Sequence, residues 1–580
     1  MQDISSPSNL QSPSQFISHI QAPLHPKIKP LLRRYYREKN LNESNYQRSL
    51  QSHSKTLQAV RSMTNPIRPP SPRYIKGYVK VLQAQDSLSR LSYCLRSSLV
   101  FENAYLFSKL KALRSLSFLE ILFTKTRKFK ASLKTLLKSL PDLKDLAHFR
   151  IVLDGLNFLL DPHLLGILFR NLRGLKKLKS LSLTLNNSSH FQMKNLPRYM
   201  SHLKQLESVE LSIDRSSLRF ADQDFLSWAS ALSELPLLNK VSLAFVYLPI
   251  QVPTLAQFFH SMRTISDITL DLNSFCFWVN KDNSTDSLSE GLAQLHAPST
   301  KRLDIHFSQS ADSRNLIEIS QTLKKLTLLK SLSFDFSCCF YMSQDSLPQG
   351  MAEISSALSN LGSLSSLNFS FSEYFSSESV VGFASALKPL QNLVQLKLNL
   401  SGIQMSLEHM QQFSSSLGAL TSLRFLDLHL MKQQSLSDDD LKALTENLKK
   451  LGLLKSLTLV CGHISMITNK GVEAITNGIK ELHDLTCLHL ELTHSSHIDE
   501  TAIEGIAKAL QYLPDLYCVN FSFLGCDKLK EKEESVLSLL SALGEMKNIQ
   551  DIVLRIPENS SNKQHVKDLA RRKAITASYF

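Results

Sequence analysis

The residues of this chain best suited to metal or thiol chemistry are two cysteines and a histidine. Cys487 and Cys518 occupy the same position in two similar segments, and His489 follows Cys487 by two residues. If the segments are neighbouring strands, their backbones lie about 4.8 Å apart. A zinc site needs three or four ligands that converge tetrahedrally, and this spacing does not supply them. The sequence therefore favours two small half-buried thiols in a ladder, and it predicts no metal and no cofactor.

Motifs that carry catalysis are absent from the sequence. It contains no G-x-x-x-x-G-K-[ST] or G-x-G-x-x-G phosphate loop, no G-x-S-x-G nucleophile elbow and no H-E-x-x-H metalloprotease helix. Only 17 glycines are present, which leaves little material for such loops. We therefore expect no catalytic residues and a protein that is not an enzyme.

The composition is typical of a folded protein without membrane insertion. Hydrophobic residues make up 43% of the 580 residues and charged residues 20%, which argues against wholesale disorder. No apolar run reaches the roughly 18 residues of a membrane helix, and the first residues, MQDISSPSNLQSPSQ, do not resemble a secretory signal. Because the eight cysteines include no C-x-x-C pair, we expect reduced thiols in an intracellular protein, located in the cytoplasm.

Positive charge is concentrated in the N-terminal third. Residues 1–180 contain 31 Lys and Arg against 10 Asp and Glu (+21), and the remainder contain 35 against 41 (−6), which sum to +15. This asymmetry indicates either a site for an acidic partner or a solvated basic face. The partner would be an acidic protein, a nucleic acid or a membrane surface, and we favour a protein over a nucleic acid. The candidate residues of this basic patch are Arg33, Arg34, Lys128, Lys130, Lys176 and Lys177.

An internal repeat dominates the chain. The apolar spacing L-x-x-L-x-L-x-L recurs 13 times at intervals of 27 to 35 residues, from LKSLSLTL at Leu178–Leu185 to IQDIVLRI, which begins at Ile549. Three fainter copies end near Leu95, Phe123 and Leu153. The last four positions of each copy alternate apolar and polar residues, which is the period of a strand with one buried face.

Between the copies the apolar period lengthens to about 3.6 residues, which indicates helices. Leu441, Leu444 and Leu448 fall on one helical face. Helix starts are signalled by the acidic run 438–440, by Thr468 and by Asp499. One strand–helix unit cannot bury its apolar strand face alone, so the units must stack into a parallel sheet with helices covering one side.

These strand–helix repeats resemble the ribonuclease-inhibitor-like class of leucine-rich repeats. The resemblance covers most of the chain, from about Arg73 to Ile556. It implies an α/β leucine-rich-repeat solenoid, a horseshoe with a parallel sheet on the concave face and helices on the convex face. The family usually has Asn or Cys soon after the last strand leucine, to satisfy backbone groups at the turn. Small polar residues take that position in 8 of the 13 copies here, and only two are Asn, which marks a divergent subfamily.

Strand alternation assigns the side chains of the predicted concave face. Small polar residues predominate there, and the charged ones would give specificity through paired contacts, although the same residues also keep an open sheet face soluble. We expect this face to bind a partner. The candidate residues are Asp267, Asp271, Arg302, Asp304, His306, Lys397, Asn399, Asp427, His429, His489 and Glu491.

The segments outside the repeats complete the predicted organisation. Residues 1–25 are rich in Ser, Gln and Pro and are expected to be disordered. Residues 26–72 form a basic helical segment with a Pro-rich linker, which either caps the sheet or docks an acidic partner. Residues 73–557 form the repeat domain, and residues 558–580 form a basic cap, with a final helix expected for HVKDLARRKAITASYF at residues 565–580.

Three functions are compatible with this architecture. We favour a non-catalytic scaffold or adaptor that binds a protein partner on the concave face. One alternative is the substrate-recognition subunit of a ubiquitin ligase, although no F-box is evident in residues 1–73. The other is a GTPase-activating regulator that resembles the Ran activator, although the acidic tail of that family is missing here.

Overall fold

The structure is a computed structural model in which the chain divides into two compact units. Unit 1 is Met1–Ala244 and unit 2 is Phe245–Phe580. The structure describes residues 89–95, 107–108, 110–113, 115–124, 129–154, 162–186, 196–214, 222–246, 261–262, 265–272, 300–308, 313–338, 347–529, 533–555 and 576–579. The predicted segments 1–25 and 26–72 lie outside these residues. Within the described ranges, no helix is long and apolar enough to span a bilayer.

Unit 1 alternates strands with helices. Its strands are β1 (Arg90–Leu95), β2 (Phe118–Thr124), β3 (His148–Asp154), β4 (Ser180–Asn186), β5 (Ser208–Asp214) and β6 (Lys240–Val246), the last of which spans the unit boundary. Its helices are α1 (Phe129–Ser139), α2 (Pro162–Arg173), α3 (Leu196–Met200) and α4 (Asp222–Ser233). Strands β1 to β5 pair in chain order, all parallel. The three fainter repeats are therefore real strands, β1 to β3.

Unit 2 continues the same alternation. Its strands are β7 (Asp267–Leu272), β8 (Arg302–Ser308), β9 (Ser331–Cys338), β10 (Ser366–Ser370), β11 (Gln395–Asn399), β12 (Phe425–His429), β13 (Ser456–Val460), β14 (Cys487–Glu491), β15 (Cys518–Ser522), β16 (Asp551–Arg555) and β17 (Thr576–Tyr579). All pair with their chain neighbours in parallel. Each unit is thus an α/β solenoid of strand–helix repeats, as the sequence predicts.

The described helices of unit 2 lie between its strands, and several of them begin at local capping signals. They are α5 (Ser313–Leu323), α6 (Leu347–Leu358), α7 (Ser377–Leu387), α8 (Leu407–Gly418), α9 (Asp438–Leu448), α10 (Asn469–Ile479), α11 (Glu500–Leu510) and α12 (Glu533–Glu545). Thr468 and Asp499 cap α10 and α11, as predicted, by accepting hydrogen bonds from backbone amides of the first turn. For α9 the cap is Ser437, which forms a capping box with Asp440.

The core lies between the helices and one face of each strand. In β12, Leu426 and Leu428 are buried, and so are Leu441, Leu444 and Leu448 of α9. The same alternation recurs in β11 and β14, where buried residues alternate with partly exposed ones. Burial of these leucines supplies the main stabilising free energy, because each apolar side chain leaves water only when neighbouring repeats stack.

A left-handed turn follows five consecutive strands of unit 2. Its residues, with φ between +57° and +87°, are Gly402, Lys432, His463, His494 and Gly525. The His494 amide donates to the Leu524 carbonyl at 2.7 Å, and the preceding turns repeat this bond, so the inter-strand ladder extends into the turns. A side chain on Gly525 would collide with the His494 ring, which stacks on the His463 ring with centroids 4.2 Å apart.

Two features at the ends of repeats differ from what the resemblance and the sequence indicate. In two repeats the side chain that reaches a turn carbonyl lies two positions after the residue that matches the family's Asn or Cys: Gln433 donates to the Leu400 carbonyl at 2.9 Å, and the Cys526 thiol donates to the Leu492 carbonyl at 3.0 Å. Each copy here is L-x-x-L-x-L-x-L, which has one x-Leu pair more than the L-x-x-L-x-L of the family that it resembles. The turn therefore begins two residues later. Thr576–Tyr579 is a strand, although we predicted a helix for residues 565–580. It pairs with β16, whose edge has backbone groups that need partners. The part of the predicted helix before residue 576 lies outside the described residues.

Candidate functional site

The candidate site is the side of the unit 2 strands that faces away from the helices, which we call the open face. Alternation along the strands selects its residues. Lys397 and Asn399 of β11, Asp427 and His429 of β12, and His489 and Glu491 of β14 all lie there, each at least partly exposed. These six predicted site residues therefore share one surface. The parallel register brings them into defined contacts.

Asp427 is the centre of a charged cluster on this face. Lys397 is its register partner on β11, and the Lys397 Nζ lies 2.9 Å from Asp427 Oδ2. His429 Nε2 lies 2.8 Å from Asp427 Oδ1. Burial would raise the pKa of Asp427, but hydrogen bonding from His429 and Lys397 outweighs it and holds the pKa below its usual range. Asp427 is therefore a carboxylate that fixes a lysine and a histidine in place.

His489 and Glu491 form a second group two strands away. His489 Nε2 lies 3.9 Å from Glu491 Oε2, too far for a hydrogen bond. Burial lowers the pKa of His489 and outweighs the opposing attraction of Glu491, so the imidazole is neutral at pH 7. The strand between the two groups presents Thr458, the register partner of both Asp427 and His489. The open face is thus polar with interleaved charge.

Asn399 has a structural contact as well as an exposed position. Its side-chain oxygen accepts a hydrogen bond at 3.1 Å from the Ser401 amide in the turn after β11. Asp335 of β9 accepts from the Ser337 amide in the same way, at 3.0 Å. Such Asx turns stabilise the end of a strand. Sequence reasoning assigned Asn399 to partner binding only, because alternation reports the face of a residue but not its local bonds.

Arg302 organises the predicted residues of β7 and β8. Its Nε and Nη2 lie 2.8 Å and 2.7 Å from the same oxygen, Oδ2 of Asp304, and its Nε lies 3.8 Å from Asp267 Oδ1. The hydrogen bond with Asp304 raises the pKa of Arg302, so the guanidinium remains charged. Asp271 and His306 are register partners in these strands, but their side chains lie outside the described residues.

The predicted basic patch is not assembled in the described part of unit 1. Arg33, Arg34 and Lys128 lie outside the described residues, and so does the side chain of Lys130 in α1. Lys176 and Lys177 are exposed in the connection from α2 to β4, where the Lys177 Nζ lies 2.6 Å from Asp145 Oδ1. An acidic partner for the N-terminal third stays a prediction.

Cys487 and Cys518 are register partners on β14 and β15, as their sequence positions indicate. Burial and the neighbouring Cys487 raise the pKa of the Cys518 thiol to about 12. Burial likewise raises the pKa of Cys461 to about 12 and that of Cys526 to about 11. Thiols of this kind are protonated at pH 7 and are weak nucleophiles. Among the described residues, no three His, Cys, Asp or Glu side chains converge as metal ligands would.

Sequence reasoning missed a cluster on the equivalent face of unit 1. Arg150 of β3 lies between two carboxylates, 3.5 Å from Glu120 of β2 and 3.8 Å from Glu210 of β5. Beside this group, the Arg90 guanidinium lies 4.1 Å from the centroid of the Phe118 ring, the geometry of a cation–π contact. Strand alternation in FLEILFT and HFRIVLD was the available signal, but the leucine pattern of these first repeats is faint.

Comparisons with family models, curated proteins and solved structures identify no family for this chain. No family model matches the chain, and no curated protein matches it. Among solved structures, a chain from the crystal structure of the Rad7 and Elc1 complex in yeast is similar to it, with 16% sequence identity and a TM-score of 0.39. The match covers 82% of this chain and 92% of that chain. At this level the likeness carries no argument about function. The class of the protein, an α/β repeat solenoid, rests on the pairing of strands and the alternation of helices described above.

Proposed function

We propose that this chain is a non-catalytic scaffold or adaptor that binds a protein partner on the open face of unit 2. The observation that carries the proposal is the pairing of Lys397, Asp427 and His429 beside the His489–Glu491 group. Ionised side chains held by neighbours lose less conformational entropy on binding than free ones do, which makes them suitable for specific contacts. The identification of the repeats with the ribonuclease-inhibitor-like class belongs to this proposal, as does a cytoplasmic location.

Binding explains this surface better than catalysis does. Both oxygens of the Asp427 carboxylate have close neighbours, Lys397 Nζ at Oδ2 and His429 Nε2 at Oδ1, and the Cys518 thiol has a pKa of about 12. A nucleophile needs a depressed pKa or an adjacent base, and a general base needs a pKa near neutrality. A mixed polar surface with fixed charges instead matches the polar, electrostatically complementary surface of protein interfaces.

The expected partner presents both charge signs. Lys397 and Arg302 are partly exposed cations, and Asp427 and Glu491 are partly exposed carboxylates. Complementary charges would set the specificity and the association rate more than the total affinity. A ubiquitin-ligase subunit and a Ran-activator-type regulator remain the alternative functions, and the identity of the partner separates them from a scaffold.

Affinity purification with mass spectrometry tests the proposal. The full chain is compared with the open-face variant Lys397→Ala/His489→Ala and with a matched control, Gln412→Ala/Lys442→Ala, which changes exposed residues on α8 and α9. We expect the wild type and the control to recover the same partner and the open-face variant to lose it by about tenfold or more, as at interface hot spots. Unchanged recovery with the open-face variant would exclude the open face as the binding surface.

A second arm addresses the alternatives and the N-terminal segment. Deletion of residues 1–72 shows whether the basic segment contributes a separate contact. Cullin-type partners would identify a ubiquitin-ligase subunit, and stimulated GTP hydrolysis by a recovered GTPase would identify a regulator. Steep weakening of binding with salt would indicate that the basic residues serve an acidic partner.

A further inference from the structure

The exposed apolar side chains of unit 2 are concentrated on one edge of its sheet, which we call the amino edge. This edge consists of the connections from each helix to the next strand, together with the first residue of that strand. The large apolar side chains exposed there are Leu328, Phe425, Leu453, Tyr512 and Tyr517. Among the described residues of unit 2, only Leu407 and Met466 are comparably exposed elsewhere. Clustered exposure of this kind marks interaction surfaces.

Basic residues lie beside two of these leucines in the same arrangement. The first amino-edge cluster is Lys301, Leu328 and Lys330, and the second is Arg424, Leu453 and Lys455; all six side chains are exposed. In each cluster the two cations directly precede neighbouring strands. The Lys330 amide donates to the Lys301 carbonyl at 2.8 Å, and the Lys455 amide donates to the Arg424 carbonyl at the same distance.

The stability of the fold does not explain these two clusters. Cations in the last helical turn are favoured by the helix dipole, but Arg424 and Lys455 come after the helices, next to the strands. Neither forms an ion pair within the part of the chain that the structure describes. Leu453 is 49% exposed although the neighbouring Leu451 and Leu454 are fully buried, so its side chain is not needed for the core.

We propose that the amino edge of unit 2 docks an extended acidic peptide segment of a partner protein. Apolar side chains of the peptide would pack against Leu328 and Leu453, and its carboxylates would pair with the cations beside each leucine. The strands of the two clusters, β9 and β13, are four strand spacings apart, about 19 Å. An extended peptide spans this distance with about six residues. The two clusters can therefore bind one segment simultaneously, which raises the affinity through effective concentration.

A peptide fits this edge better than a nucleic acid does. Both clusters present an exposed leucine, and only the second adjoins an aromatic side chain, Phe425. The other exposed aromatic side chains of this edge, Tyr512 and Tyr517, lie two strands further along, beyond Asp484. Single-stranded nucleic acids need aromatic platforms for their bases. The carboxylates of Asp484 and Asp515 are exposed on the same edge beyond β13 and would repel a continuous phosphate backbone. The two clusters contain none of the charged open-face residues Lys397, Asp427, His429, His489 and Glu491, so the inference goes beyond the proposed function.

Fluorescence anisotropy on the full chain tests the docking site. The probe is a fluorescein-labelled peptide of twelve residues in which glutamate and leucine alternate. We expect saturable binding that weakens at least tenfold in each of the variants Arg424→Glu/Lys455→Glu and Lys301→Glu/Lys330→Glu. The matched control, Lys432→Glu/Lys470→Glu, makes the same charge change at exposed residues of the opposite edge and should leave the affinity unchanged. Circular dichroism verifies that every variant is folded.

Further variants and probes separate the possible outcomes. The variant Leu328→Ser/Leu453→Ser should lower the affinity for the peptide several-fold, whereas Met466→Ser, an exposed apolar control, should leave the affinity unchanged. A six-residue peptide should bind more weakly than the twelve-residue one. The open-face variant Lys397→Ala/His489→Ala should bind the probe normally. A failure of the docking site can therefore be distinguished from a failure of the proposed open-face function. The inference is overturned if the twelve-residue peptide does not bind saturably or if the control variant Lys432→Glu/Lys470→Glu weakens its binding as much as the cluster variants do. It is also overturned if an oligouridine probe binds the chain more tightly than the peptide does.

Discussion

The two faces of the unit 2 strands are made from alternate residues of the same segments, and they differ in the residue types that they tolerate. In β12, Leu426 and Leu428 face the helices and are buried, whereas Asp427 and His429 face away from them and bind each other. Across β10 to β16 the buried positions are almost always leucine, phenylalanine, isoleucine or valine. The open positions include cysteine, lysine, aspartate, histidine, asparagine and phenylalanine.

This contrast shows how a repeat protein separates stability from specificity. Every buried position must fill the same space between strand and helix, so close packing restricts it to a few apolar types. An open position contacts water and its neighbours on adjacent strands only, so its residue type is free to vary from one repeat to the next. The four predictions below test this division of roles, from the largest expected effect to the smallest.

The largest effect is expected on the buried face. Leu398→Ala in β11 removes a fully buried side chain and should lower the free energy of unfolding by about 2–5 kcal/mol through lost transfer energy and a cavity. The control is Thr458→Ala on the open face, with an expected change within about 0.5 kcal/mol. Denaturant unfolding measures both. Equal losses for the two variants would contradict the contrast between faces.

An intermediate effect is expected at the turns that connect the strands to the helices. Gly525→Ala places a side chain at a φ of +77°, in the left-handed region, and against the His494 ring, so the unfolding free energy should fall by about 1–3 kcal/mol. Gly452→Ala, with nothing within 4 Å of the added carbon, is the matched control. Thermal or denaturant unfolding that affects both glycines alike would exclude a special role for the left-handed turn.

A smaller effect is expected from the charged cluster. Asp427→Asn weakens the contacts with Lys397 and His429 and should cost up to about 1 kcal/mol at pH 7, the usual size for partly exposed ion pairs. Because the folded-state pKa of Asp427 is lowered, its contribution is present above the unfolded pKa of about 3.9 and is lost as pH falls through the folded pKa. The difference in unfolding free energy between wild type and variant should therefore shrink in strong acid. A difference that grows in acid would contradict the assignment.

The smallest effect is a change in pH dependence at His489. Burial lowers its pKa in the folded state, so below about pH 6.5 the unfolded chain takes up a proton that the folded chain resists. His489 therefore makes stability fall as pH decreases, until the pH passes the folded pKa. His489→Gln should make the decline between pH 7.5 and 5.5 shallower, as measured by denaturant unfolding at several pH values. The neighbouring Thr458→Val should keep the wild-type decline, and a steeper decline in His489→Gln would contradict the prediction.

Strand alternation predicted which face of a strand each residue occupies, because the period of two is a local property of extended backbone. Lys397, Asp427 and His489 lie on the open face as their positions predicted. The bonds among them could not be predicted, since Lys397 and Asp427 are 30 residues apart in sequence and meet only through the register of β11 with β12. For the same reason the Arg150 cluster was missed, since it joins three strands of unit 1 through side chains alone.

The sequence by itself determined the repeat, its strand and helix segments and the side of each strand that is buried, because hydrophobic periodicity encodes these locally. Tertiary structure decided where the turn begins, which side chains bond across strands and which exposed leucines and cations meet at the amino edge. Gln433, for example, satisfies the carbonyl of Leu400 in the preceding repeat, a contact that no local pattern contains. Such contacts depend on the stacking of repeats, which brings residues about thirty positions apart to a separation of one strand spacing.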